Sequence, residues 1–208
     1  MPFAVFLDRD GVINRAVIRD KKPYPPSKLE DVVFPCGTFE AIQALRTSGY
    51  LVIVVTNQPD VSKGIQKKEV VEAIHGFIRQ QLHVDDIKVC YHGDEDDCNC
   101  RKPKPGMIID AAREYSIDLA GSYMVGDRWR DIEAGQAAGC KTILIQQEIN
   151  YNERQAQGMN AVADSLYEAA AFILKNNCKK EETMANLNEI KVEILADGTD
   201  QKILKNQP

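Results

Sequence analysis

Residues 3–11 read Phe-Ala-Val-Phe-Leu-Asp-Arg-Asp-Gly, and this stretch decides the fold of the chain. Its five leading apolar residues, aromatic and branched, predict a short strand buried on both faces of a sheet. Asp8 and Asp10 follow, and they project from the same side of the chain if the extended geometry persists. Two such carboxylates repel, and each resists ionisation unless a cation lies between them. The pair indicates a site for a hard divalent ion such as Mg²⁺, with a solvated acidic turn as the plainer alternative.

The composition is that of an ordinary globular domain and argues against several classes of function. A chain of 208 residues suits one sizeable domain, with 44% apolar and 27% charged residues. The net charge of −5 and the lack of a basic stripe give no support to nucleic-acid or anionic-membrane binding. No apolar run has the length of a membrane span, and no signal-peptide pattern opens the chain. We therefore expect a cytoplasmic protein, a monomer or weak oligomer, without nucleic acid or membrane as partner.

Strands and helices alternate at short intervals along the rest of the chain. Such alternation implies right-handed crossovers, so we predict an α/β fold with a Rossmann-like parallel sheet and helices on both faces. No large insertion follows the first or second strand, which predicts a minimal cap. The polar, proline-rich segment 14–35 is predicted to be a loop that lines a substrate pocket or only connects elements on the surface. Apolar spacing predicts helices over residues 38–47, 66–82, 106–115, 129–138 and 161–174, and strands over residues 3–7, 51–55, 87–91, 122–125 and 142–145.

Polar residues that follow the predicted strands should meet at one edge of the sheet, where parallel sheets bind their ligands. Three carboxylates around a divalent ion, with a hydroxyl and a lysine, form a site for a phosphoryl group. The chain has no Walker-type glycine loop, which argues against a nucleoside triphosphate. No serine–histidine or cysteine–histidine pair is indicated at this edge, so an aspartate is the best candidate nucleophile. The residues expected there are Asp8, Asp10, Thr56, Arg101, Lys102 and Asp127.

Four short motifs, in this order along the chain, resemble those of the haloacid dehalogenase superfamily phosphatases. The resemblance is closest to the family of D-glycero-D-manno-heptose 1,7-bisphosphate phosphatases and their relatives, the histidinol-phosphate phosphatases. The combination of all four motifs in order is highly specific. The motifs are Asp-Arg-Asp-Gly at residues 8–11, Thr-Asn-Gln at 56–58, Arg-Lys-Pro at 101–103 and Gly-Asp-Arg-Trp-Arg-Asp at 126–131.

The resemblance spans about residues 3–175 and leaves a separate C-terminal segment. We therefore predict a phosphatase domain over residues 1–175 and a linker with a C-terminal tail over residues 176–208. Within the tail, residues 190–195 alternate like an amphipathic strand. This segment is either an added edge strand or part of a disordered tail.

The resemblance implies roles for the acidic residues. Asp8 would attack phosphorus to give an aspartyl-phosphate, and Asp10 would protonate the leaving oxygen and then activate water. Mg²⁺ would be held by Asp8, the backbone carbonyl of Asp10 and Asp127. In this scheme Asp8 has to stay ionised, helped by the metal and Lys102, while Asp10 needs a raised pKa to act as an acid. Asp131 either orders metal-bound water or is an ordinary acid on a helix surface.

The remaining motif residues are predicted to bind the substrate. The resemblance implies that Thr56 and Lys102 hold the phosphoryl oxygens, and Asn57, Arg101 and Lys102 are predicted to bind the rest of the substrate. The chain departs from the heptose-specific pattern at residues 59–60, where Pro-Asp stands in place of Ser-Gly. An acid there is unfavourable beside a phosphorylated substrate unless it hydrogen-bonds sugar hydroxyls or turns away.

Three of the six cysteines lie close together with a histidine, and this cluster is better explained by a metal than by disulfides. Cys90, His92, Cys98 and Cys100 supply three thiolates and an imidazole, the ligand set of a closed tetrahedral zinc site. Their spacing is not that of a zinc finger, but members of the family with a zinc loop resemble it closely. We predict a structural zinc ion that fixes Arg101 and Lys102, against the alternative of free thiols. Cys36, Cys140 and Cys178 are predicted to be plain thiols.

The function predicted on this resemblance is Mg²⁺-dependent hydrolysis of a sugar bisphosphate, namely the heptose 1,7-bisphosphate at its C7 phosphate. Arg101 beside Lys102 suits capture of a second phosphate, and a cationic loop is predicted to add Arg19, Lys21 and Lys22 near the site. Two alternatives stay open: a histidinol-phosphate phosphatase and a non-catalytic, zinc-stabilised binding module.

Overall fold

A parallel sheet of six strands forms the centre of the molecule. The computed structural model describes residues 1–19, 22–146 and 154–177, without the side chains of Lys22 and Asn177. The strands are β1 (Ala4–Leu7), β4 (Leu51–Asn57), β5 (Asp86–Cys90), β6 (Tyr123–Gly126), β7 (Lys141–Ile145) and β8 (Ala161–Ala163). Their spatial order is β5-β4-β1-β6-β7-β8, and all neighbours pair in parallel, which confirms the predicted α/β fold.

Helices cover both faces of the sheet, as the alternation of elements predicts. Val5 and Leu7 of β1 face one apolar cluster, while Ala4 and Phe6 face the other. Because successive side chains of a strand point to opposite faces, the central strand is fully buried and reads as an unbroken apolar run. The first cluster is covered by α1 (Thr38–Thr47), α2 (Lys68–Leu82) and α5 (Leu166–Asn177), and the second by α3 (Gly106–Tyr115) and α4 (Trp129–Ala138).

The segment 14–35 is not the featureless loop that its prolines predict. It forms an antiparallel hairpin of β2 (Val17–Arg19) and β3 (Lys22–Tyr24), followed by a short 3-10 turn at Leu29–Asp31. Pro23 lies in this hairpin opposite Ile18. A two-stranded ribbon leaves half of its N–H groups unpaired, so it tolerates a residue without this donor. The prediction of a loop without elements was therefore wrong.

The last predicted helix also differs from the structure. Residues 161–163 form β8, which pairs with β7 at the sheet edge, and α5 begins only at Leu166. An Ala-Val-Ala run fits either state, and the free edge of β7 decides in favour of the strand. The other helices and strands begin and end within two residues of the predicted positions. The tail prediction for residues 178–208, with its strand over residues 190–195 and Cys178, lies outside the described residues.

In the part of the chain that the structure describes, no helix is both long and apolar enough to span a membrane.

Candidate active site

The carboxyl ends of β1, β4 and β6 meet at one cleft of about 330 Å³. The backbone N–H of Asp8 donates to Val125 O at 2.9 Å, so strand pairing continues up to this aspartate. Thr56 and Asn57 end the neighbouring strand β4, and Asp127 directly follows β6. Six predicted site residues line the cleft together: Asp8, Asp10, Thr56, Asn57, Arg101 and Lys102.

Lys102 is buried among the strand ends, with 3% of its surface exposed. Its Nζ donates to Asp8 Oδ1 at 2.8 Å and to Val55 O at 2.8 Å, and it pairs with Asp131 Oδ1 at 2.5 Å. Burial acts to lower the pKa of Lys102, but the charges of Asp131 and Asp8 outweigh it and raise the pKa above its ordinary value. Lys102 is therefore a fixed positive charge.

Asp131 is not an acid on a helix surface, because only 2% of it is exposed. Besides pairing with Lys102, its Oδ2 accepts from the backbone N–H of Arg128 at 3.0 Å. The second bond caps the start of α4, where backbone N–H groups lack partners within the helix. The backbone of Gly126 makes room for it, since a Cβ there would lie 2.1 Å from Asp131 Cβ. The surface interpretation of this residue was wrong.

The two aspartates of the first motif lie in opposite electrostatic environments. Burial raises the pKa of Asp8 to about 6, against the lowering effect of Lys102 and with help from Asp131 and Asp10. Burial acts in the same direction on Asp10, but the Arg9 guanidinium and the amides of Asn14 and Gln58 together outweigh it and hold the pKa of Asp10 below its ordinary value. The protein by itself thus gives Asp8 a higher pKa than Asp10. The sequence predicts the reverse order, with Asp8 ionised and the pKa of Asp10 raised.

The cause is the set of donors around the Asp10 carboxylate. Arg9 donates to it from Nη2 at 2.7 Å and from Nε at 3.1 Å. Asn14 Nδ2 donates at 3.0 Å and Gln58 Nε2 at 2.9 Å. A carboxylate with this many donors is stabilised in its ionised form. Arg9 is the neighbour of both aspartates in sequence, yet nothing in the motif shows that its side chain turns back onto Asp10.

Three carboxylates at the strand ends can hold a metal ion together. One oxygen from each of Asp8, Asp127 and Asp131 lies within 4.8 Å of the others. Gly11 makes the close approach possible, since its φ is +93° and a Cβ there would lie 2.2 Å from Asp127 Oδ2. An all-oxygen set of this kind fits Mg²⁺. Asp10 contributes no side-chain oxygen to this group, in keeping with a role through its backbone carbonyl.

The Cys/His cluster lies beside the cleft, and its four ligand atoms also lie within 4.8 Å of one another. Cys100 Sγ is 3.2 Å from Cys90 Sγ and 3.3 Å from Cys98 Sγ, and His92 Nδ1 is 3.3 Å from Cys100 Sγ. All three cysteines are free thiols. Soft sulfur and imidazole ligands converging on one point fit a tetrahedral zinc ion. Cys36 and Cys140 are also free, as predicted for plain thiols.

The chain that leaves this cluster positions the two cations of the third motif. Arg101 Nε donates to Asp94 Oδ1 at 2.8 Å, and its Nη1 donates to His92 O at 3.2 Å. Asn57 holds the backbone of Lys102 in both directions, donating to its carbonyl at 3.0 Å and accepting from its N–H at 3.1 Å. Asn57 lines the cleft, but its amide is used to hold Lys102 in place.

Several motif residues without a predicted role also belong to the cleft. Gln58 Nε2 bridges Thr56 Oγ1 and Asp10 Oδ2, each at 2.9 Å. Arg128 and Arg130 add positive charge to the lining. The sequence already indicated both arginines, because the predicted helix begins two residues after Asp127 and its first turn must lie at the same edge.

The hairpin contributes differently from what was predicted. Arg19 donates to Ser27 Oγ at 3.1 Å on the exposed surface and is not among the residues that line the cleft. Pro23, Tyr24 and Pro25 line it instead. Lys21 lies outside the described residues, as does the side chain of Lys22. Asp60 does line the cleft, so the departure from the heptose-specific motif faces the substrate space.

The chain is similar to several known proteins over most of its length. Residues 99–169 match the family described as HAD-hydrolase-like. The D-glycero-beta-D-manno-heptose-1,7-bisphosphate 7-phosphatase of Bordetella bronchiseptica is 40% identical over 147 residues, which cover 68% of this chain and 79% of that protein. The corresponding Pseudomonas aeruginosa phosphatase is 38% identical over 146 residues, with the same coverage. A crystal structure of the B. bronchiseptica phosphatase complexed with magnesium and phosphate matches with a TM-score of 0.72 and 33% identity, covering 84% of this chain and 99% of that one.

The fold and the order of strand-end motifs thus define a hydrolase of the haloacid dehalogenase type. Within this class, the chain belongs to the family of D-glycero-beta-D-manno-heptose-1,7-bisphosphate 7-phosphatases.

Proposed function

We propose that this protein is a Mg²⁺-dependent phosphatase that removes the C7 phosphate of D-glycero-D-manno-heptose 1,7-bisphosphate. The observation that carries the proposal is the buried Lys102 between Asp8 and Asp131, at the ends of the central strands. A fixed cation beside a strand-end carboxylate suits a site where a phosphoryl group is attacked and its charge is neutralised. The relatives that match most of the chain are named for this reaction.

The first chemical step is assigned to Asp8. An oxygen of its carboxylate attacks phosphorus, and the bond between phosphorus and the sugar oxygen breaks. Lys102 and the Thr56 hydroxyl donate to the phosphoryl oxygens. Asp8, Asp127 and the Asp10 carbonyl would hold Mg²⁺, whose positive charge would lower the repulsion between the Asp8 carboxylate and the phosphate. The same charge offsets the effect of burial on the pKa of Asp8.

Proton transfer is assigned to Asp10. A dianionic phosphate entering the cleft raises the pKa of Asp10 by like-charge repulsion, which opposes Arg9. Asp10 then gives its proton to the departing sugar oxygen. In the second step Asp10 takes a proton from water, the water oxygen attacks phosphorus, and Asp8 is released together with inorganic phosphate.

Recognition of a bisphosphate is supported by the surplus of cations. One phosphoryl group is served by the metal, Thr56 and Lys102, yet Arg101, Arg128 and Arg130 also line the cleft. Guanidinium groups suit a second, non-reacting phosphate, whose binding energy positions the reacting one. Asp60 would accept hydrogen bonds from sugar hydroxyls.

Asp60 also favours one alternative substrate. A carboxylate at the cleft attracts a substrate ammonium group, as in histidinol phosphate. A non-catalytic zinc-stabilised module is less well supported, because simple binding does not need the pair Asp8 and Asp10 in their two different environments.

We further propose that residues 1–175 form the catalytic unit, that zinc in the Cys/His cluster is structural, and that the protein acts in the cytoplasm as a monomer or weak oligomer. Free thiols at Cys36 and Cys140 favour a reducing compartment.

A phosphate-release assay with Mg²⁺ tests the substrate assignment. The substrates are the heptose 1,7-bisphosphate in both anomeric forms, the heptose 7-phosphate and histidinol phosphate. We expect the highest kcat/KM with a bisphosphate anomer and the 1-phosphate as product. Equal or faster hydrolysis of histidinol phosphate would favour the alternative enzyme, and release of phosphate from none of them would favour the binding module.

A further inference from the structure

Arg9 links the acid Asp10 to a histidine on helix α2. The arginine is fully buried, with 0% of its surface exposed, although it lies in a motif that borders the cleft. Its Nε and Nη2 face Asp10 at 3.1 and 2.7 Å, while its Nη1 lies 2.9 Å from His75 Nε2. The guanidinium therefore has one edge on the carboxylate and its remaining nitrogen on the imidazole.

The chemistry of this contact fixes the state of His75. A guanidinium only donates hydrogen bonds, so His75 Nε2 must accept, and the ring carries its proton on Nδ1. Burial and the nearby Arg9 charge lower the pKa of His75 to about 4, which keeps the ring neutral at physiological pH. His75 is itself 2% exposed and thus has no solvent to replace Arg9 as a partner.

Glu72 lies near the other ring nitrogen of His75. His75 Nδ1 is 3.9 Å from Glu72 Oε2, one helical turn away, which is too far for a hydrogen bond. The other oxygen of Glu72 accepts from the Tyr91 hydroxyl at 2.5 Å, and Tyr91 lies between Cys90 and His92 of the Cys/His cluster. The hydrogen bond to Arg9 is therefore the contact that orients the imidazole.

We propose that Arg9 and His75 are positioning residues that orient the Asp10 carboxylate for proton transfer to the leaving oxygen. This inference rests on the proposed function, in which Asp10 is the general acid. Removing the imidazole leaves Arg9 Nη1 as a buried donor without a partner, which is unfavourable. The guanidinium is then expected to rotate towards another acceptor. Because its Nε and Nη2 both donate to the Asp10 carboxylate, that carboxylate rotates with it.

The test compares leaving groups. A sugar alkoxide leaves poorly unless it is protonated, whereas p-nitrophenolate leaves readily without an acid. We expect His75→Leu to lower kcat/KM for the heptose bisphosphate roughly tenfold, a fraction of the about 10²–10⁴-fold that a general acid supplies. For p-nitrophenyl phosphate we expect kcat/KM to change within about twofold, because kcat/KM reports the steps up to departure of the leaving group and p-nitrophenolate needs little acid. The second step, in which Asp10 acts as a base, is common to both substrates and affects kcat, not kcat/KM. Arg9 and His75 do not line the cleft, so substrate affinity should not change.

Conservative variants separate positioning from packing. His75→Gln places an amide oxygen where it can accept from Arg9, and we expect it to restore the wild-type ratio of the two kcat/KM values. Ile78→Ala lies one turn along α2 in the apolar cluster and should destabilise the fold without changing that ratio. His75→Met fills the site with a flexible apolar side chain and replaces His75→Leu if the latter does not fold.

Asp10→Asn supplies the reference for the proposed function. If it loses far more activity on the sugar bisphosphate than on the aryl phosphate, Asp10 is the general acid. Given that result, equal losses on both substrates in His75→Leu, or no loss in either, would overturn the positioning role and leave the proposed function intact. If Asp10→Asn itself loses both activities equally, the general-acid assignment falls and the positioning role falls with it.

Discussion

The two walls of the cleft differ in how firmly their charges are held. The strand-end wall, made of Asp8, Thr56, Lys102 and Asp131, is buried throughout. The loop wall, made of residues 23–25, 59–60, 65 and 101, is more open: Tyr24 is 40% exposed and Ile65 71%. Under the proposed function, the reacting groups lie on the wall that the sheet holds in place, and the groups that bind the rest of the substrate lie on the wall that loops form.

Burial also makes the two walls respond differently to substitution. An unpaired charge among the strand ends has no water to solvate it, so each charge there depends on its partners. Exposed charges on the loop wall are solvated and screened, and their pairs contribute little to stability. Arg101 lies between these limits, because 12% of its side chain is exposed while its partner Asp94 is 72% exposed. We therefore expect the effects of substitution to fall steadily from the first wall to the second.

The largest effect is expected at Asp8. Asp8→Asn keeps the shape of the side chain but removes the attacking charge, so kcat should fall on the order of 10⁴-fold or more. Steady-state phosphate release measures this. Near-normal turnover by the purified variant would mean that another residue is the nucleophile. It would also contradict the expectation that substitutions in the strand-end wall have the largest effects.

Folding stability is the control for this variant. The folded pKa of Asp8, about 6, lies above its ordinary value of 3.8, so its stabilising contribution is present at low pH and is lost as the pH rises from about 4 to 6. The Asp8→Asn variant has no carboxyl group to ionise at this position, so it does not lose stability over this pH range. Without Mg²⁺ we expect its Tm at pH 7 to equal or exceed that of the wild type, whereas a marked decrease would show that the substitution acts through unfolding.

Loss of the zinc site should have the next largest effect, because it affects both walls. Cys98→Ser removes one ligand and frees the loop that carries Arg101 and Lys102. We expect zinc content to fall from one ion per chain towards zero, kcat to decrease and KM to rise, with kcat/KM about 10–100-fold lower. Elemental analysis and kinetics measure this.

Cys36→Ser is the matched control, since Cys36 is an exposed free thiol outside the cluster. It should leave zinc content and kinetics unchanged. Fully active wild-type protein that contains no zinc after purification without chelator would contradict a structural zinc ion.

Arg101→Ala tests the loop wall alone. Its guanidinium is predicted to bind the non-reacting phosphate, so kcat/KM should fall roughly tenfold for the heptose bisphosphate and much less for p-nitrophenyl phosphate. Arg101→Lys should recover only part of the loss, because an ammonium group cannot form the bidentate contact. Equal losses on both substrates would mean that Arg101 serves only the reacting phosphoryl group.

The smallest effect is expected at Arg19, whose guanidinium lies on the exposed surface of the hairpin beside Ser27. Arg19→Ala should change kcat/KM for the bisphosphate by less than about twofold, as is usual for an exposed residue outside a site. The same assay as for Arg101 measures it. A loss as large as that of Arg101→Ala would mean that Arg19 also contributes to the site. The expected difference between Arg101 in the cleft and Arg19 on the exposed hairpin would then be wrong.

The strand-end wall was predictable because its signals are local. Unbroken apolar runs that end in Asp8 and Thr56 imply a parallel sheet, and a parallel sheet brings its carboxyl ends together. The hairpin and β8 were missed because proline and alanine runs acquire their conformation from pairing partners. The spacing of apolar residues contains no information about such partners.

Side-chain partners formed the second limit of prediction. The burial of Asp131 depends on Lys102, which arrives from a distant part of the chain. The pKa of Asp10 depends on Arg9 turning towards His75 rather than to solvent. The residue types at the strand ends thus predict which kind of chemistry the site performs. Whether Asp8 or Asp10 has the higher pKa can be predicted only from the three-dimensional arrangement of their neighbours.

Chemical trapping during turnover tests the covalent role of Asp8 most directly. The protein is quenched in acid while it hydrolyses the heptose bisphosphate with Mg²⁺, reduced with borohydride and analysed by peptide mass spectrometry. Borohydride converts an aspartyl phosphate into homoserine, so we predict homoserine at position 8 and none in protein quenched without substrate. Reduction at another aspartate, or an unmodified Asp8 in protein that is turning over under conditions where the intermediate accumulates, would contradict the assignment of Asp8 as the nucleophile.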